Sequence, residues 1–567
     1  MKRIAIFFLI AIGCGGIGRA AYQATVPAAP PLSRFVPAGS LLYLETKDFS
    51  SILGDWNSSA QKKQWVESSN YEVFSRSRLF LRLKGAGDQF AAAAGLPPDM
   101  DFLSQVAGTR SALALYDIGN LQFLYVTYLP SAKSMQTALW QTRAKFEPRN
   151  AGGVDFYVRR DPESQKEVAF AVSGDYLLLA TRADIMAGAL QLMSGSQDRT
   201  IEAEQWWSQS AASAGPAGDL RMVMDLEKIV PSPYFRTYWV QQNITDMKQY
   251  SAAVSDLFRS SKQYREERVL IRKTAPPAIP AGGLEATADV VRFIPQNAGI
   301  YEAQAYPSAD FCFDLLEAKL LAPHLGLAPP SQVAPQVQLT SGETGADSDL
   351  ETRIDQPAIE RPAAQQSTTA LKDLLDKTQI LASLQVQSTE RDKAEVFVRI
   401  HSAIVLVAAS DWSEAGVQLA LADFVRPGLT ASQLGVSWQQ KSGYQQLDGL
   451  WPLVTSVRGK YLIVSDDPAL IEAMLSDFSR KSDTKPAVFV AGFNHDRERE
   501  NFVRFSGVVD RPTLTQANIP GMERQPQFFA ENLASLSSTL AGVSEENIVV
   551  RVEGDKVLQT VIYKWPR

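Results

Sequence analysis

The sequence predicts an α+β fold in two tandem homologous domains, each a largely antiparallel sheet with packed helices. Three observations carry that expectation. The stretch Val172–Leu190, VSGDYLLLATRADIMAGAL, returns without a gap as Val457–Leu475, VRGKYLIVSDDPALIEAML. Upstream, Arg34-Phe35-Val36-Pro37 returns in the same order as Arg292-Phe293-Ile294-Pro295. Between these anchors, hairpin signals recur with helical patterns among them. There is no regular βαβ alternation and no Gly-rich strand-to-helix fingerprint of a doubly wound fold.

Each copy of the doubled unit reads as a turn at Gly174 or Gly459, an apolar strand, a polar corner and an amphipathic helix. Glycine suits a turn needing positive φ, and the unbroken apolar run suits a strand covered on both faces. Tyr176 and Tyr461 are expected at matching strand positions. Leu190 and Leu475 should pack from the following helix onto the sheet. Nothing in the unit is chemically reactive.

At 567 residues the chain exceeds what one core supports, so at least two domains are expected. A formal net charge of −6 with scattered Lys and Arg offers no basic face, which argues against nucleic acid as a partner. Two cysteines and three histidines exclude a disulfide framework and give a zinc site little support. Cys312, between Phe311 and Phe313, reads as a small buried apolar residue.

The N-terminus, residues 1–23, reads as a signal peptide or N-terminal anchor. Lys2-Arg3 precedes the apolar run from Ile4 to Ile12, and the fifteen residues from Ile4 to Gly18 are too few to span a bilayer comfortably, which takes about 20. Ala11-Ile12-Gly13-Cys14 resembles a bacterial lipobox, with Ala11 where that pattern prefers Leu, and this makes Cys14 the candidate lipidation site. Cleavage near Gly18-Arg19-Ala20, or no cleavage, are the competing readings. Either way the chain is expected to be exported, on the periplasmic side of a bacterial cell envelope or secreted.

Residues 24–33 form a Pro/Ala tether, 34–273 the first α+β repeat, 274–291 a Pro/Gly linker and 292–567 the second repeat. The second repeat carries a Pro-, Gln- and Ser-rich insertion at about 325–367, poor in aromatics and expected to be disordered. Hairpins are expected over Ala112–Asp117 with Gln122–Leu129, Asp155–Arg159 with Val168–Val172, and around Gly554-Asp555. Ala403–Ala408 and Val417–Ala422 read as a further strand pair. Arg221–Leu226, Arg268–Arg272 and Ala487–Phe493 read as shorter strands. Stripes at spacings of 3 and 4, Met247-Tyr250-Val254-Leu257 and Phe529-Leu533-Leu536-Leu540, predict one helix per repeat.

Few residues invite a chemical role. Ser59-Ala60-Gln61-Lys62 matches the S-x-x-K of penicillin-binding enzymes, but no S-D-N follows and Lys273-Thr274-Ala275 lacks the glycine of K-T-G. A helix start capped by Asn57 or Ser58 explains it more simply. Glu266-Glu267 and His495–Glu500, HDRERE, are the densest charge clusters, but clustering does not show the two facing carboxylates of a glycosidase, and His495 reads as part of a solvated loop or helix face rather than a general base. Trp206, Trp207, Trp438, Trp451 and Trp565 could stack on sugars but fit core positions better. The sequence therefore assigns no catalytic, cofactor-binding or metal-binding residue.

Pro37-Ala38-Gly39 before Leu41-Leu42-Tyr43-Leu44-Glu45, the segment Phe49–Trp56 and the unit Gly174–Leu190 resemble a bacterial exported family of unknown function in which such elements recur. The resemblance implies a cell-envelope location and no known reaction. The expected function is that of a non-catalytic envelope protein with a binding or scaffolding surface, tethered to the membrane through its N-terminus. Its partners would be envelope proteins or cell-wall components. The alternative is a serine hydrolase of cell-wall peptide with Ser59 as nucleophile and Lys62 as base.

Overall fold

The structure, a computed structural model, describes residues 30–67, 71, 75, 76, 78–134, 137–232, 247–274, 282–321, 370–391, 398–429, 437–448, 453–476, 478–480, 482, 484–501 and 543–565. Cys14 with residues 1–23, most of the tether, the insertion at 325–367 and the stripe Phe529–Leu540 lie outside the described residues. The fold is α+β. The chain divides into two compact units, residues 1–58 with 78–256 and residues 59–77 with 257–567.

The first unit contains β1 (Leu42–Thr46), α1 (Phe49–Ser58), α2 (Arg78–Ala94), α3 (Met100–Val106), β2 (Ser111–Asp117), β3 (Gln122–Tyr128), β4 (Glu147–Ala151), β5 (Val154–Arg160), β6 (Glu167–Ser173), β7 (Tyr176–Ala180), α4 (Ala183–Met193), α5 (Gln205–Ser213) and β8 (Leu220–Asp225). Its strands pair antiparallel in the order β8-β1-β2-β3-β7-β6-β5-β4. Four consecutive residues of β7, Leu177 to Ala180, are buried, so helices must cover both faces of the sheet. Leu177 and Leu179 join a core with Phe102 and Val106 of α3 and Ala93 of α2. Alternation along the strand sends Leu178 and Ala180 to the opposite face, where α4 packs with Met186 and Leu190 fully buried. At the outer edge, β4 has exposed residues from Glu147 to Asn150, Pro148 among them, and among the described strands it pairs with β5 alone.

β9 (Tyr250–Arg259) and β10 (Gln263–Arg272) follow. The second unit continues with α6 (Gly283–Val290), β11 (Ile300–Ala305), α7 (Ala309–Leu316), α8 (Ala370–Asp376), β12 (Ile380–Arg391), β13 (Val398–Ala408), α9 (Glu414–Leu429), β14 (Ser437–Gln440), β15 (Gln445–Asp448), β16 (Val454–Arg458), β17 (Tyr461–Ser465), α10 (Pro468–Ser476), β18 (Phe489–Asn494), β19 (Glu545–Glu553) and β20 (Lys556–Lys564). Its antiparallel order is β10-β20-β19-β18-β11-β12-β13-β17-β16-β15-β14. Core residues such as Phe293, Val405, Ile463 and Ile471 fill one cluster, and Cys312, Leu406, Leu421 and Leu462 another.

The hairpins β6–β7 and β16–β17 have the same register. Ser173 faces Tyr176 and Arg458 faces Tyr461, each across a two-residue turn opened by a glycine with φ of 59° (Gly174) or 57° (Gly459). An L side chain is strained at that φ, which explains the glycine in both places. β7 and β17 then show one burial pattern, a half-buried Tyr followed by four buried residues.

Four expectations are corrected. The stripe Met247-Tyr250-Val254-Leu257 is not a helix, because Tyr250–Arg259 is strand β9. Its residues 252–256 are all buried, and the carboxylate of Asp256 accepts from Nε and Nη2 of Arg221, each at 2.8 Å, and from the Gly218 N–H at 2.9 Å. Val417–Ala422 is not a strand but the middle of α9, whose entry is held by Ser413: its Oγ accepts from Gly416 N and its carbonyl from Val417 N. The 274–291 linker is interrupted by α6, which buries Ala288 and places Val290 in a core of the second unit. At the end of the tether, Leu32 and Ser33 are buried in a 3-10 turn, Leu32–Phe35.

Candidate ligand-binding cavity

A concavity of about 850 Å³ in the first unit lies between the sheet and the helices α2 and α3. Alternation builds its floor: Leu44 of β1, Leu113 of β2, Phe123 and Tyr125 of β3 and Leu179 of β7 point to one face. The roof comes from α2, where Leu83, Ala86, Gly87 and Phe90 recur at spacings of 3, 4 and 7 and so share one side of the helix. The two central positions of that stripe are too small to reach the floor, which leaves the space open. Gly87 is also the point of approach to Pro98, whose Cγ would stand 3.6 Å from an added Cβ.

Phe102, Leu103 and Val106 of α3 close one side. Asp99 starts that helix by accepting from Phe102 N at 2.9 Å, and Tyr125 Oη donates to the Val106 carbonyl at 2.9 Å, tying α3 to the floor. Burial pushes the Tyr125 phenol up, so it remains a neutral donor. Thr46, 8% exposed, also lines the cavity, and its Oγ1 has no hydrogen-bond partner among the described residues. The cavity reaches the surface, since its lining includes the exposed Leu83, Arg160 and Gln165.

One end is polar. The β2–β3 turn, the β5–β6 turn and the corner after β7 converge there and hydrogen-bond to one another. Lys166 Nζ donates to Asn120 Oδ1 at 3.2 Å, Arg182 Nη1 to Gln122 Oε1 at 3.0 Å, and Ala183 N to Glu167 Oε2 at 3.0 Å. Arg160 pairs with Glu167 at 2.5 Å, and Arg182 with Asp184. Burial pushes the Glu167 carboxyl up, but the Ala183 N–H and Arg160 outweigh it and hold the group below the usual range. The lining thus carries three cations, Arg160, Lys166 and Arg182, against the single carboxylate of Glu167.

The residues singled out from sequence lie elsewhere. Ser59 is itself the cap of the short helix Ala60–Val66, its Oγ accepting from the backbone N of Lys62 at 3.1 Å, so the cap is neither Asn57 nor Ser58. Ser58 Oγ bonds back to the Gly54 carbonyl at 2.9 Å. Glu266 and Glu267 on β10 pair with Arg268 and Arg265. The HDRERE cluster is solvated on one side only: Asp496 and Glu500 are exposed, but two of its members are buried. His495 is 7% and Glu498 2% exposed, the His495 ring standing edge-on to Phe493 at 4.4 Å. The Glu498 carboxylate meets the Thr389 hydroxyl.

Trp207 packs edge-on against Tyr43 at 4.9 Å and Trp565 against Tyr264 at 5.1 Å, while Trp206 is buried. Trp438 packs at the edge of the second unit's core. His324 and Trp451 lie outside the described residues. Cys312 is fully buried, and burial pushes its thiol up to about 12. Among the described residues no group of three or more His, Cys, Asp or Glu could hold a metal ion. No described helix is long and apolar enough to cross a membrane. Sequence reasoning missed the cavity. The 83-86-87-90 stripe was the signal that could have found it.

No family model matches the chain, and no curated protein matches it. Among solved structures, two crystal forms of TP0453, a Treponema envelope protein, are weakly similar. Form I is 11% identical over 45% of this chain and 83% of that one, and form III 12% identical over 48% and 89%. Both superpose with a TM-score of 0.24, too low to carry fold detail or function across.

Proposed function

We propose that this is a non-catalytic binding protein of the bacterial cell envelope, tethered to the membrane through residues 1–23, that holds the apolar part of a ligand in the cavity of its first unit. The observation that carries the reading is the cavity itself. Its volume lies in the range of small-molecule sites, its walls are largely apolar side chains, and polar groups gather at one end. The residues lining it include no histidine and no cysteine. The N-terminal charge and hydropathy pattern with Cys14 supports export and a lipid anchor.

In the same reading the two units are copies of one ancestral domain. The order β8-β1-β2-β3-β7-β6-β5-β4 has the same connectivity as β18-β11-β12-β13-β17-β16-β15-β14, which supports this together with the doubled stretch.

The binding reading is tested with the full chain and the neutral fluorophore N-phenyl-1-naphthylamine. Ala86→Phe places a ring in the middle of the roof without disturbing helix geometry, and it should weaken probe binding at least about tenfold while melting is unchanged or raised. Undiminished binding by a folded Ala86→Phe protein would remove the cavity from the function.

A further inference from the structure

Resting on that reading, we infer that the cavity takes a single-chain amphiphile with an anionic head, a long-chain carboxylate, lying with its chain between α2 and the sheet and its head at Arg160, Lys166 and Arg182. Shape is the first support. The lining runs from Thr46 and Ser111 at one end of β2 to Asn120 just beyond the other. At about 3.4 Å per residue the seven residues of that strand extend roughly 20 Å, so the space is elongated along the strand. An extended chain fits such a space, while a compact ring system would leave most of it empty.

Charge is the second support, and it fixes the orientation. The cations stand at one end alone. The far end offers the hydroxyls of Thr46 and Ser111 and the apolar side chains of Leu44 and Val106. Arg160 pairs with Glu167 and Arg182 with Asp184, while Lys166 bonds only the neutral amide of Asn120, so cations outnumber their carboxylate partners and the end favours a negative head over a positive one.

The rim's existing pairs do not block this. The Arg160 and Arg182 side chains remain 58% and 43% exposed, and pairs that exposed are worth little, so an incoming carboxylate can take over or share their donors. Arginine presents a planar fork matched to a carboxylate, and the Arg182 fork is already steadied by Gln122. The three loops are cross-linked by the Lys166–Asn120 and Arg182–Gln122 hydrogen bonds, so the cations are held in place before a ligand arrives.

Displacement of N-phenyl-1-naphthylamine from the full chain, below the micelle concentration of each competitor, tests this with palmitate, hexadecanol and hexadecyltrimethylammonium, which share a chain and differ in head charge. Palmitate should compete at least about tenfold more strongly than hexadecanol, and the cationic amphiphile least. The Arg160→Gln/Lys166→Gln/Arg182→Gln protein should lose the advantage of palmitate and keep hexadecanol binding, which also reports that it folds.

Equal competition by palmitate and hexadecanol in the wild-type protein would overturn the anionic head while leaving the cavity standing. A palmitate advantage that survives the triple substitution would overturn the assignment of the rim. Failure of all three amphiphiles to displace the probe, or displacement unaltered by Ala86→Phe, would overturn the cavity reading and this inference with it.

Discussion

Leu190→Ala and Leu475→Ala should differ in cost although the sequence sets the two leucines at matching positions. Leu190 on α4 is 0% exposed and enclosed by the sheet it covers. Cutting it to Ala removes buried carbons and leaves a void that the backbone of α4 can only partly close, so the loss should be about 3–5 kcal/mol. Leu475, near the end of α10, is only partly buried against the core containing Phe293, Ile463 and Met474. Part of its surface is already in water, and the site can relax outward, so about 1–2 kcal/mol is expected. Equilibrium urea unfolding, followed by far-ultraviolet circular dichroism and by tryptophan fluorescence, gives both values. Each unit has a core of its own, so the two transitions are fitted separately. Losses equal within about 0.5 kcal/mol, or a larger loss at Leu475, would refute the argument that burial of these side chains sets their worth.

Two further outcomes follow from single polar groups. Burial raises the Asp466 carboxyl from 3.8 to about 6, reinforced by Asp467 and opposed by the Ser402 N–H and His401. The folded state therefore favours the protonated acid, a stabilisation fully present below about pH 4 and lost as pH rises through 6. Asp466→Asn keeps an oxygen for Ser402 N and should stabilise the protein by about 1–3 kcal/mol at pH 7.5 but hardly at pH 4, as chemical denaturation at both pH values would reveal; a pH-independent difference would contradict this. Thr46→Val removes a buried hydroxyl that lacks a partner, so it should raise the unliganded protein's stability by about 1 kcal/mol, measured by thermal melting; a loss instead would mean that Oγ1 is satisfied in solution.

What could be read from the sequence was whatever depends on neighbours along the chain. The turn glycines Gly174 and Gly459, the strand runs after them and the hairpin at Gly554-Asp555 are set by local backbone demands, and each stands where its residues placed it. Period failed where burial on both faces erased it. In β9, residues 252–256 are all buried, so the apolar positions no longer alternate and a spacing of 3 and 4 could be picked out of them. In α9 the reverse happened. Val417, Leu419 and Leu421 alternate like a strand, but Ser413 and Glu414 start a helix, and Leu419 ends 63% exposed.

The cavity went unread for another reason. Its space is made by what Ala86 and Gly87 lack, and its polar end gathers Asn120, Lys166 and Arg182 from three separate turns. HDRERE misled because charge content suggested solvent, while the Thr389 hydroxyl meets the Glu498 carboxylate and Phe493 packs against the His495 ring in the interior.

Pro148 in the outermost strand of the first unit has a consequence for life in a crowded compartment. A sheet whose last strand is free can recruit a strand from another molecule and begin a polymer. Pro148 has no N–H to offer a newcomer, and Glu147 and Arg149 beside it keep their charged ends in water. β4 therefore acts as a terminator: it completes the fold for its own chain and refuses to serve as a seed for the next.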